Sequence, residues 1–79
     1  MLVSTMCTTT EIAVTELKRN CLEALHRARK LRKMAAGQRT REGAELFTEQ
    51  ARFEITKARG YLNQARALER RLEEHRGAA

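Results

Sequence analysis

A chain of 79 residues is one domain at most, and with 42% apolar residues and only three aromatics it has little material for a conventional core. Two cysteines cannot supply a disulfide framework, and no apolar run approaches the roughly 20 residues of a membrane span. The absence of proline, with Ala, Leu, Glu, Arg and Lys dominant, favours helix nearly everywhere and excludes an all-β class.

Residues 1–7 are mildly apolar but lack a basic leader, and they are expected to form a flexible N-terminal segment rather than a signal. Structure is expected to begin at Thr8, where Thr8 and Glu11 have capping-box spacing and Cys7 and Ile12 stand where a hydrophobic staple would close the entry turn. From there Val14, Leu17, Cys21, Ala24, Ala28, Leu31 and Ala35 alternate by three and four, the spacing of an inward helical stripe. Cys21, on that stripe, serves as a small apolar residue. The first helix is thus predicted over 8–36.

Cations crowd its end. His26 to Arg41 contains Arg27, Arg29, Lys30, Arg32, Lys33, Arg39 and Arg41 and no carboxylate, so of the net charge of +6 the rest of the chain carries about −1. Two or three cations would complement the helix dipole; seven repel one another unless an acidic surface or phosphates neutralise them. The turn is predicted at 37–40, with Gly37 in the left-handed conformation that ends a helix, Gln38 and Arg39 as the link, and Thr40 as the next N-cap. Glu42 and Glu45 then meet the positive end of the second helix.

That second helix is predicted over 41–75, with residues 77–79 as a flexible C-terminus. Ala44, Ala51, Ala58 and Ala65 recur every seventh residue, with Leu72 next, so small side chains form one seam. Folding back about Arg39 would set Ala35 against Ala44, Ala28 against Ala51, Cys21 against Ala58 and Val14 against Ala65, with Leu17, Leu25, Leu31, Phe47, Ile55, Leu62 and Leu68 filling the flanks. Leu46, Phe53, Gly60 and Ala67 form another seven-residue series on the opposite side, which one intramolecular helix cannot cover. Gly60 costs about 1 kcal/mol relative to alanine inside a helix, and a close approach by a partner, a bend or simple tolerance would each account for it. Glu69, Glu73 and Glu74 among Arg66, Arg70, Arg71 and Arg76 read as a solvated, ion-paired face of the same helix.

The expected fold is therefore all-α: one domain over 8–76, a long antiparallel helical hairpin with a coiled-coil-like, alanine-rich seam, capable of dimerising into a four-helix bundle. No catalytic, metal or cofactor residues are expected, because the histidines His26 and His75 fall far apart and no phosphate loop, nucleophile elbow or zinc spacing occurs. The expected function is that of a small cytoplasmic regulator or adaptor, without enzymatic activity or membrane attachment. It would bind a protein through Leu46, Phe53 and Gly60 together with the basic tip, as a component or an inhibitor of nucleic-acid-handling machinery. The first alternative is a hairpin dimer binding DNA or RNA through backbone contacts, although no aromatic lies among the basic residues to stack on a base. The second is a structural or chaperone-like subunit.

Overall fold

In a computed structural model that describes the backbone of residues 2–78 and the side chains of 8–77, the chain is two helices, α1 (Leu2–Ala36) and α2 (Arg41–Ala78), packed as a hairpin. Its Cα extents are 60 × 15 × 12 Å, and its radius of gyration of 17.9 Å far exceeds the about 12 Å of a compact domain of this length. At about 1.5 Å per residue, α2 alone accounts for the long axis.

Both helices outrun their predicted ends. α1 begins at Leu2 rather than Thr8, and α2 continues to Ala78 rather than stopping at His75, so helix replaces the expected flexible segments over 2–7 and 77–78. Met1 and Ala79 lie outside the described residues. No proline or glycine stands between Met1 and Ala36 to stop the helix, and the Thr8–Glu11 signal is not used as a cap. Glu11 instead reaches across the hairpin, its Oε1 accepting from Arg76 at 2.9 Å. Ile12 is exposed, and the Cys7 half of the expected staple lies outside the described side chains.

The turn is made differently from the expectation. Gly37 does not adopt a positive φ. The end of α1 tightens instead: the Gly37 N–H donates to the Lys33 carbonyl and the Gln38 N–H to the Ala35 carbonyl, each at 3.2 Å, the second being the short bond that often closes a last turn. A Cβ on Gly37 would meet only carbonyl oxygens at 3.7 Å, so nothing here demands glycine. Thr40 does cap α2, its Oγ1 accepting from the Gly43 N–H at 3.1 Å. The glycine that matters in this corner is Gly43, where an added Cβ would come within 2.9 Å of Gln38 Oε1 and 3.0 Å of the capping hydroxyl.

Between the helices, Val14, Cys21, Ala24 and Ala28 of α1 are buried with Ala51, Ala58, Ala65 and Leu72 of α2. Cys21 clusters with Ala58 as the folding-back register requires, but Ala24 shares that cluster, and Tyr61 and Leu62 pack against it. Toward the turn Ala35 and Ala44 are only half-buried, as are Leu17, Leu31, Phe47, Ile55, Leu62 and Leu68 along the flanks. Leu25 does not fill its flank and is 39% exposed. Methyl groups at the contact line let the helices touch there, so a long side chain beside the line projects past the contact instead of beneath it.

Candidate functional site

The basic tip exists as a surface, but not with all its expected members free. Arg27, Arg29, Lys30, Arg32, Lys33, Arg39 and Arg41 are all exposed. Arg27 is spent within the hairpin, its Nε donating to Glu54 Oε2 at 3.0 Å, and Arg41 pairs with Glu45 one turn along α2 at 3.1 Å. Among the described residues Arg29, Lys30, Arg32, Lys33 and Arg39 make no ion pair, so they carry the unneutralised charge. Lys33 also stands in the last turn of α1, where it complements the dipole.

Glu54 ties this end together. Its side chain is 14% exposed and receives Lys57 Nζ at 3.4 Å besides Arg27. Partial burial works to raise its pKa, but hydrogen bonds from Arg27 and Lys57 and their two charges together outweigh that and hold it below the ordinary 4.5. A depressed carboxyl stabilises the fold above its unfolded titration range and loses that contribution as pH falls through its own lower value. Glu54→Gln is therefore expected to cost about 1 kcal/mol near neutral pH and to flatten the acid limb of stability, measured as urea midpoints at successive pH values. An acid limb as steep as the parent's would remove Glu54 as its source.

Leu46, Phe53, Gly60 and Ala67 are all exposed, with Leu46 at 54% and Phe53 at 65%. Lys57 Nζ lies 5.3 Å from the Phe53 ring centroid, a cation–π contact that leaves most of the ring open. Phe53 and Leu46 also border a groove between the helices, floored by Leu31 and edged by Glu49, Gln50 and Glu54. Gly60 has no atom within 4 Å of where its Cβ would stand, so intrachain packing does not require it.

A second basic surface was not legible from net charge along the chain. Arg52, Arg59 and Arg66 recur every seventh residue on α2, are exposed, and make no ion pair among the described residues. Their spacing, between Glu45 and Glu73 of the same series, was the signal that could have found them. Of the charged residues expected to pair along α2 near the C-terminus, Glu69 and Arg76 pair instead across the hairpin, through Lys18–Glu69 at 3.0 Å and Arg76–Glu11 at 2.9 Å.

Among the described residues no three potential metal-ligating side chains lie together, and no helix is long and apolar enough to cross a membrane. His26 and His75 are both exposed. No protein-family model, curated protein or solved structure matches this chain.

Proposed function

We propose that this chain is a small non-enzymatic adaptor or regulator that works by binding macromolecules through the outward face of α2 and the basic tip. The observation that carries this reading is an inversion of the usual arrangement. The axis of the hairpin is filled mostly by alanine, while Leu46 and Phe53 lie more than half exposed on the half of α2 nearest the unpaired cations. Apolar anchors beside an arginine-rich patch are the combination that protein interfaces favour, aromatic and Arg side chains supplying most of the binding energy. The tip would meet an acidic surface, with Arg29 and Arg32 making forked carboxylate contacts.

A second reading, favoured by Arg52, Arg59 and Arg66, is contact with the phosphate backbone of DNA or RNA, which needs cations and no base readers. Copurification of the tagged chain from its native host, with and without nuclease, separates the two. A stoichiometric protein that survives nuclease and is lost with Phe53→Asp or with reversal of the tip charges supports the adaptor. Recovery of nucleic acid alone, abolished by nuclease, supports the second reading and sinks the first.

A further inference from the structure

The outward face of α2 is self-complementary from Glu49 to Arg70, and we propose that its occupant is a second copy of this chain, packed antiparallel about a two-fold axis near Gly60. The proposal rests on the reading of that face as an interaction surface and names what covers it, leaving the basic tip for another partner. Two adjoining rows make the face. One is Leu46, Phe53, Gly60 and Ala67; the other, three residues on, is Glu49, Thr56, Asn63 and Arg70. Every one of these residues is exposed, and the rows straddle the line opposite the buried seam of Ala51, Ala58 and Ala65.

Turning the first row end for end about Gly60 places Phe53 against the second copy's Ala67, large against small, and Gly60 against Gly60. The same rotation, to within half a residue, sets Glu49 against Arg70 and Thr56 against Asn63, then repeats both pairs in reverse. An isologous interface demands this, since each contact must occur twice. The axis also falls at the middle of α2, whose midpoint lies between Arg59 and Gly60, so the two long helices overlap along their whole length. Gly60 then has a purpose that the single chain does not supply. With no atom near its missing Cβ, it is the position at which two helix backbones can come closest. Glu49 and Arg70 have no ion-pair partner within the chain among the described residues, and each gains one. The resulting particle carries its two basic tips at opposite ends.

Disulfide trapping in a Cys7→Ser background, where the remaining Cys21 is buried, tests the register. With axes about 8–10 Å apart and glycine at the crossing, the Gly60 Cα atoms come within about 4–6 Å, inside most of the range a disulfide spans. Gly60→Cys is expected to form a covalent dimer under mild oxidant. Phe53→Cys alone is not, because its two copies lie about 20 Å apart along the axes. Phe53→Cys with Ala67→Cys crosslinks again. Sedimentation equilibrium of the unmodified chain should give twice the 9.1 kDa mass, with Gly60→Leu raising helicity at low concentration yet weakening dimerisation about tenfold or more. Crosslinking of Phe53→Cys without Gly60→Cys would overturn the register, and a monomer at every concentration would overturn the dimer. A monomer that still loses a different protein partner on Phe53→Asp would overturn this inference and leave the adaptor reading standing. A dimer whose tip binds nothing would do the reverse.

Discussion

Ala58→Leu is expected to open the hairpin. Ala58 is 2% exposed and clusters with Cys21 and Ala24, with Tyr61 and Leu62 packed against the same cluster, so three added carbons have no space to enter. Leucine matches alanine closely in helix propensity, which confines the effect to packing. Overpacking a well-filled site costs about 1–3 kcal/mol, and at a close helix–helix contact the axes must separate for several turns in each direction. A single core of this size supplies no more than about 3–5 kcal/mol of net stability, so the loss is a large share of the whole. Thermal and urea unfolding followed by circular dichroism should show a markedly earlier transition at unchanged initial helicity. Gln64→Leu, exposed and six residues along the same helix, is expected to shift stability by no more than about 0.5 kcal/mol. An equal and small effect at both positions would mean that the alanine seam is not the contact line.

The seam was readable because its cause is periodic. Alanine at every seventh position states both a helix and the side on which another backbone approaches, and the burial of Ala51, Ala58 and Ala65 follows from that pattern. The exposure of Leu46 and Phe53 was readable for the same reason, since one helix cannot cover two opposed faces. What local pattern could not show were decisions made by the opposite helix. The Thr8–Glu11 spacing is a valid cap in isolation, yet Arg76 arrives from the far end of the chain to take Glu11, and an uninterrupted helix continues to Leu2. Gly37 looked like a left-handed stop, but a short bond at the end of α1 closes the turn without one. Charge suffered most from a linear reading: Arg27 is neutralised by a residue 27 positions away, while Arg52, Arg59 and Arg66, interspersed with glutamates in sequence, have no such partner among the described residues.

Reversing Arg29, Lys30, Arg32 and Lys33 to glutamate is expected to slow association with a protein partner by about 10- to 1,000-fold at low ionic strength, the range over which electrostatic steering acts. These four side chains are exposed and unpaired among the described residues, so their removal breaks no ion pair of the hairpin. Helicity should hold, apart from a cost of about 0.3–1 kcal/mol at Lys33, where a carboxylate would face the negative end of α1. The parent and the variant should converge as salt is raised, because a Debye length of about 3 Å at 1 M screens a surface encounter that one of about 10 Å at 0.1 M does not. Stopped-flow association rates against the copurified partner across that range provide the measurement. If the target is instead a nucleic acid, the parent's log affinity should fall steeply with log salt and depend little on sequence. Arg52→Ala, Arg59→Ala and Arg66→Ala should then each reduce the slope by about 0.9 if each touches a phosphate of duplex DNA, while leaving a protein partner's association rate far less affected than the tip reversal does. Rates that stay unchanged after reversal would assign the cluster to the helix dipole and to solubility, and would remove the tip from the partner's footprint.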